Sequence, residues 1–268
     1  MRRHALLSAL LLGGAAVPSQ ADQVSRLTGA EAVEAWVRLK GDAGGATTYE
    51  WVSGTAFGVP ADGPSVELFR MESVTVRRFE KIGAASYIER NYACRLYRDA
   101  HSGEFVDHFL NPLTGRDVVA TSRCSAAPAV RYTPDKVELL SDMKFESSAL
   151  GGPMQLEKLT LGDVVVIRRN VRAQFVSPSS GELRRELSVD SFTTTPRALA
   201  DKKLRMLAPA YHWESVGGWM ADLAMGDRPG RMLWSIFGRN YRSAEELPAD
   251  FRAALLQRIP DALQRPLE

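Results

Sequence analysis

The sequence predicts a mostly β protein, an antiparallel β-barrel or barrel-like sandwich with short helices at its N- and C-terminal ends. Three observations predict it. From Tyr49 to Phe192 apolar and polar residues alternate, the period of a strand with one covered and one wetted face. Clusters of Gly, Pro, Asn and Asp cut that run into lengths suited to tight reversals. Helical spacing is confined to two short stretches, one near each end. Sequential strands joined by short loops make antiparallel meanders, which with so few helices close on themselves or pack face to face.

Taken in order, Thr28-Gly29-Ala30-Glu31 reads as a capping box, its Thr hydroxyl accepting from the Glu31 amide. Ala32, Val33, Trp36, Val37 and Leu39 then share one helical face before Gly41 stops the helix. The strands predicted are Tyr49–Val59, Ser65–Glu72, Val74–Ile82, Tyr87–Arg98, Glu104–Leu110, Arg116–Thr121, Met154–Leu161, Val164–Val176 and Leu183–Thr194. Turns stand between them at residues 60–64, Asp99-Ala100-His101-Ser102-Gly103, Asn111-Pro112-Leu113-Thr114-Gly115 and Ser177-Pro178-Ser179-Ser180-Gly181. The tail adds a type II turn at Asp227-Arg228-Pro229-Gly230 and a strand at Met232–Phe237. A second capping box, Ser243-Ala244-Glu245-Glu246, leads to a helix around Phe251–Arg258 that Pro260 ends.

Residues 1–21 read as a cleavable signal peptide. Arg2 and Arg3 precede an apolar run from Ala5 to Ala16, and Pro18-Ser19-Gln20-Ala21 places small residues at the cut. The arginine pair also resembles a twin-arginine signal, though with no Ser or Thr before it. The apolar run is shorter than the roughly 20 residues that cross a bilayer. Residues 22–268 are expected to form a single β-rich domain in the periplasm or outside the cell. The chain has 34 basic and 32 acidic side chains; cleavage removes two arginines and no acid, leaving a formally neutral protein. Such a balance gives no electrostatic case for nucleic acid or an anionic membrane. No later stretch is apolar enough to span a membrane.

Two strands carry the candidate binding residues. In Val164–Val176, Val165, Ile167, Val171, Ala173 and Phe175 form one face, interrupted by Arg169, and Arg168, Asn170, Arg172 and Gln174 form the other. In Tyr87–Arg98, Tyr87, Glu89, Asn91, Arg95 and Tyr97 oppose Ile88, Tyr92, Cys94 and Leu96. Each polar set is either a solvated exterior with cross-strand pairs or the lining of a ligand pocket. Tryptophans 36, 51, 213, 219 and 234 are core fillers, or in part the walls of an apolar cavity.

Cys94 and Cys124 invite a disulfide in an oxidising compartment. Two successive reversals, near 100–103 and 111–115, place Cys124 about seven residues past the point opposite Cys94, roughly 23 Å away. A bridge needs Cα atoms within about 7 Å, so either the chain doubles back after Thr121 or both thiols stay free. Among the histidines, His101 lies in a turn, and His108 cannot pair with Asp107 because adjacent strand residues face opposite ways. His212 and Glu214 share a face, the minimum for a general base and its orienter. No metal-ligand spacing, nucleophile elbow, Walker loop or dinucleotide motif occurs, so no metal or cofactor is expected.

Several segments together resemble one family: residues 51–58 (Trp51-Val52-Ser53-Gly54-Thr55-Ala56-Phe57-Gly58), Tyr97-Arg98-Asp99 running into Ser102-Gly103-Glu104, Asn111-Pro112-Leu113-Thr114-Gly115, and Met225-Gly226-Asp227-Arg228-Pro229-Gly230 before Leu247-Pro248. In order and spacing they are similar to the family catalogued as domain of unknown function 1838, whose members are often exported. The resemblance implies a shared fold and lends no catalytic residue.

Three functions follow as expectations. The first is a binding module whose interior takes a small, partly apolar molecule, oriented by Tyr87, Glu89, Asn91 and Arg95 or by Arg168, Asn170 and Arg172. The second is a cofactor-independent hydrolase, lyase or isomerase using His212 and Glu214. The third is a structural or interaction protein of the cell envelope, marked by an exposed apolar patch.

Overall fold

The computed structural model describes residues 23–142, 145–176 and 183–267. The predicted signal segment and the turn at Ser177–Gly181 lie outside these residues. The chain opens with β1 (Gln23–Thr28) and α1 (Gly29–Lys40), then three long strands, β2 (Thr48–Pro60), β3 (Val66–Gly83) and β4 (Ser86–Arg98). Short strands follow: β5 (Phe105–Val106), β6 (His108–Leu110), β7 (Asp117–Val119), β8 (Arg123–Tyr132), β9 (Val137–Leu140) and β10 (Phe145–Ser147). A second long set comprises β11 (Gln155–Leu161), β12 (Val164–Val176), β13 (Leu183–Thr194), β14 (Ala210–Gly217) and β15 (Gly230–Tyr241), with α2 (Pro196–Ala200) before β14 and α3 (Ala249–Arg258) after β15.

One large antiparallel sheet runs in the order β1-β11-β12-β13-β14-β15-β2-β3-β4-β8-β9, with β10 on β12 and β5 on β4; β6 and β7 form a separate hairpin. Among the described residues strand pairing leaves the path open between β1 and β9. The central join is β15 against β2, which brings the two long sets together from Tyr49↔Tyr241 to Pro60↔Gly230. The backbones approach so closely here that a Cβ on Gly54 would lie 2.2 Å from the Ser235 carbonyl oxygen, and one on Gly238 2.3 Å from that of Trp51. Glycine is the residue that permits so close an approach within a strand.

α1 is buried on nearly every side. Its Val33, Trp36, Val37 and Leu39 pack with Phe79, Tyr87 and Tyr132 from one end of the strand path and with Leu156, Val165, Ile167 and Phe192 from the other. Each of these apolar side chains contributes about 1.5–3 kcal/mol on burial. Arg38, also buried, donates to the carbonyls of Ala198, Leu199, Asp201 and Leu204 at 2.7–3.1 Å, tying α2 and the chain after it to the helix. A second apolar cluster, at Ala56, Phe69, Met71, Tyr97, Phe109, Leu223 and Met232, fills another part of the interior. The third covers the opposite face of β3 and β4: Phe251, Leu255 and Ile259 from α3 and the tail lie on Val74, Val76, Tyr92, Cys94 and Leu96.

The predicted strands at Val164–Val176 and Leu183–Thr194 form with those bounds. The predicted break between Ser65–Glu72 and Val74–Ile82 does not occur. Ser73 sits inside the continuous β3, its hydroxyl donating to the Cys94 carbonyl at 3.0 Å. Glu104–Leu110 instead divides into β5 and β6. The Asn111–Gly115 turn forms, closed by Gly115 N to Asn111 O at 2.8 Å, with Gly115 at φ +67; the Asn111 side chain donates to the Leu223 carbonyl at 2.8 Å.

Both capping boxes need correction. Thr28 precedes α1 without a side-chain cap bond, and Ser243 precedes a 3₁₀ turn, Ala244–Glu246, while α3 starts only after Pro248. The tail turn lies two residues earlier than predicted, with Arg228 N bonded to Met225 O and Gly226 at φ +56.

The cysteines resolve in favour of the doubled-back chain. After β7 the polypeptide returns as β8 along β4, placing Cys94 directly opposite Cys124. The two form a disulfide with Cα atoms 4.0 Å apart.

Candidate functional site: an interior cavity

Strand register decides which side chains meet inside. Starting from Glu50, Val52 and Ile236, the inward set continues through Ser73 and Thr75 on β3, Ala93 and Arg95 on β4, Trp234 on β15, Tyr211, Trp213 and Ser215 on β14, and Arg184 and Glu186 on β13. These residues line one cavity of about 390 Å³. Val52 and Trp213 each touch both interior apolar clusters, so the cavity lies where those clusters leave space.

A charged layer borders this space at Glu50. The Lys40 Nζ is 2.8 Å from Glu50 Oε2, and Arg77 Nη1 is 3.4 Å from the same oxygen. Arg77 Nε reaches Glu89 Oε1 at 2.5 Å, and Glu89 also accepts from the Tyr132 hydroxyl at 2.7 Å and from Asn91 Nδ2 at 3.2 Å. All four charged groups are buried. Burial pushes the Glu50 carboxyl up, but Lys40 and Arg77 outweigh it and hold it below its ordinary value. Lys40 also lies 4.6 Å from the Tyr211 ring centroid. Burial, then Asp190, which accepts the Tyr211 hydroxyl at 2.7 Å, raise the phenol well above its ordinary value. Two cations face two anions, so this layer is balanced within itself.

The walls are mixed. Trp213, Trp234, Phe175, Met71 and Ile236 give an apolar surface, with the two indoles 6.5 Å apart. Ser73, Thr75, Arg95, Arg184 and Glu186 give polar points. Glu186 accepts from the Ser215 hydroxyl at 2.7 Å. Arg95 has its Nε buried with no hydrogen-bond partner. A largely apolar cavity with a few convergent polar groups is the usual form of a small-molecule site.

The predicted residues separate into three places. Tyr87, Glu89, Asn91 and Arg95 do share the inward face of β4, yet only Arg95 lines the cavity. Glu89 and Asn91 are held in the charged layer, and Tyr87 is buried against Phe79. Arg168, Asn170 and Arg172 are exposed on the outward face of β12. There they border a different groove of about 840 Å³, with Leu187, Val216 and Leu233 and the 148–155 segment around it. Their expected role inside the sheet is therefore corrected: register puts Val165 and Ile167 in and these three out. The interrupting Arg169 points inward, its guanidinium 4.4 Å from the Trp36 ring centroid.

His212 and Glu214 are neighbours, Nε2 to Oε1 3.7 Å, but they too face outward. His212 stacks on Phe237 with ring centroids 4.3 Å apart and lies 3.4 Å from the Ser235 hydroxyl. The sheet stands between this pair and the interior. Glu214 borders the outer groove and His212 does not. His108 pairs with Asp117 at 3.0 Å on the exposed hairpin. Among the described residues no three His, Cys, Asp or Glu side chains converge as a metal site, and no helix is long and apolar enough to cross a membrane.

Sequence reasoning missed Ser73, Arg184, Glu186 and Tyr211 as cavity residues, and treated Trp213 and Trp234 only as possible wall material. Alternation within β13 and β14 groups them correctly once β14 is recognised as a strand; nothing local tells which group faces in. A family model described as "Protein of unknown function (DUF1838)" matches residues 44–268. No curated protein and no solved structure matches the chain.

Proposed function

The chain belongs to the DUF1838 family, and from its own residues we propose that it is an exported protein holding a small, partly apolar molecule within its sheet. The observation that carries this reading is the 390 Å³ cavity walled by Trp213, Trp234 and Phe175 and pointed by Arg95 and Arg184. Its volume falls in the range of known small-molecule sites, about 300–1,000 Å³.

We read the sheet as barrel-like around this space. Support comes from the segment after β9. Val137 and the Gly151–Gly152 pair exchange hydrogen bonds at 2.9 Å, and Ser148 N bonds to Arg172 O at 2.9 Å, so this segment bridges β9 and β12 where strands do not meet. Export is supported by the basic and apolar pattern of residues 1–21 and by the Cys94–Cys124 bridge, a bond that persists in oxidising compartments. The catalytic reading of His212 and Glu214 has no comparable support, since that pair faces away from the cavity and stacks on Phe237.

Native mass spectrometry of the protein released from its own periplasm tests both parts. The expected result is a chain beginning at Asp22 that retains a small molecule, lost when Ala93→Phe fills the cavity wall. A chain still carrying residues 1–21 contradicts export. A retained molecule indifferent to Ala93→Phe contradicts the interior site.

A further inference from the structure

We infer that the molecule held in the interior is an amphiphile whose anionic head, a carboxylate or a phosphate, is bound by Arg95 with Arg184. The inference rests on the binding reading above and adds the class of ligand. Three observations lead to it.

First, Arg95 lies on the cavity wall with no hydrogen bond or ion pair among the described residues, and its Nε is shut off from solvent. A guanidinium in such a place calls for an acceptor. Second, the cross-strand neighbour of Arg95 on the same face is Arg123. Like charges directly opposite one another weaken a sheet, and Arg123 likewise has no acidic partner among the described residues. Third, the carboxylates facing the cavity are already engaged. Glu50 is bound by Lys40 and Arg77, and Glu186 accepts from Ser215. The charged layer is balanced within itself and Glu186 offsets one further charge, so among the described residues one of the Arg95 and Arg184 cations is left without an anion across from Trp213, Trp234 and Phe175. A planar fork of donors suits a carboxylate or phosphate, and the indoles suit an apolar body.

The test is a titration of the purified mature protein, followed by tryptophan emission, with dodecanoate, dodecyl phosphate and dodecanol below their micellar concentrations. At least one of the two anions should bind tenfold or more tighter than dodecanol. Arg95→Gln should erase that preference while leaving dodecanol affinity unchanged within about twofold, and Arg184→Gln serves as the second variant if the first fails to fold. Whichever anion binds tighter identifies the head, and either outcome supports the inference. Dodecanol binding as tightly as both anions overturns the head-group assignment and leaves the cavity reading intact. A preference that survives both substitutions overturns the role of the arginines. Binding of none of the three to folded protein overturns the cavity reading itself.

Discussion

β4 and β12 look alike in sequence, each with one apolar and one polar face, yet the fold mounts them in opposite senses. On β12 the apolar Val165 and Ile167 point in and Arg168, Asn170 and Arg172 meet solvent. On β4 the polar Glu89, Asn91 and Arg95 point in, while Tyr92, Cys94 and Leu96 point out. The difference is made elsewhere in the chain. α3 and the tail bring Phe251, Leu255 and Ile259 over the outer side of β4, so that side is dry and the interior can take the polar one. Among the described residues no helix covers the outer face of β12. Alternation reports that a strand has two kinds of face; which kind turns inward depends on what covers the other.

The strongest way to break this comparison is at the cover. Phe251→Ala should cost about 3–5 kcal/mol in denaturant unfolding, because Phe251 is fully buried against β4. Glu50→Ala should cost a similar amount, about 3–5 kcal/mol, since Lys40 and Arg77 would be left buried and short of an anion. The Glu50 carboxyl is held below its ordinary value in the fold. Its contribution is therefore complete above about pH 4.5, the ordinary carboxylate range, and is lost as pH falls through the lowered folded value. Thermal melts between pH 2 and 6 should show a shallower acid limb for Glu50→Gln than for the parent.

Next in size is the disulfide, which closes a separation of 30 residues. Replacing Cys94 and Cys124 together by Ser should lower stability by about 3–4 kcal/mol on chain-entropy grounds. Asn111→Ala, which removes the donor to Leu223 O, should cost about 1–3 kcal/mol. Smallest is Arg168→Ala on the open face of β12, expected to change stability by no more than about 0.5 kcal/mol. If Arg168→Ala proves as damaging as Glu50→Ala, the assignment of inner and outer faces is wrong.

Much of the local structure was legible. Leu183–Thr194 and Val164–Val176 carry long alternating runs ended by turn residues, and α1 is announced by Ala32, Trp36 and Leu39. β8 was missed because Ser125-Ala126-Ala127-Pro128-Ala129 is small and proline-bearing, poor in the β-branched and aromatic residues that mark a strand. Without β8, local spacing leaves the doubled-back chain as one of two alternatives for Cys94 and Cys124, and the fold takes that one. β1 escaped because its partner is β11, more than a hundred residues away.

The candidate site was less legible for the same reason on a larger scale. Arg95, Trp213 and Arg184 meet only through the β15–β2 join and the pairings on either side of it. Local spacing could group Tyr87, Glu89, Asn91 and Arg95, but not show that Arg77 and Tyr132 consume Glu89 and leave Arg95 alone. The spacing of His212-x-Glu214 places both on one face, and the fold makes that face the outer one.

Two places on this sheet could take a small molecule, the interior and the outer groove. Dodecanoate affinity should be compared in the parent, Ala93→Phe and Asn170→Phe, with folding checked by circular dichroism. Ala93 borders the interior cavity and Asn170 the outer groove. At least tenfold weaker binding by Ala93→Phe, with Asn170→Phe unchanged, is the predicted result; the reverse pattern would contradict it.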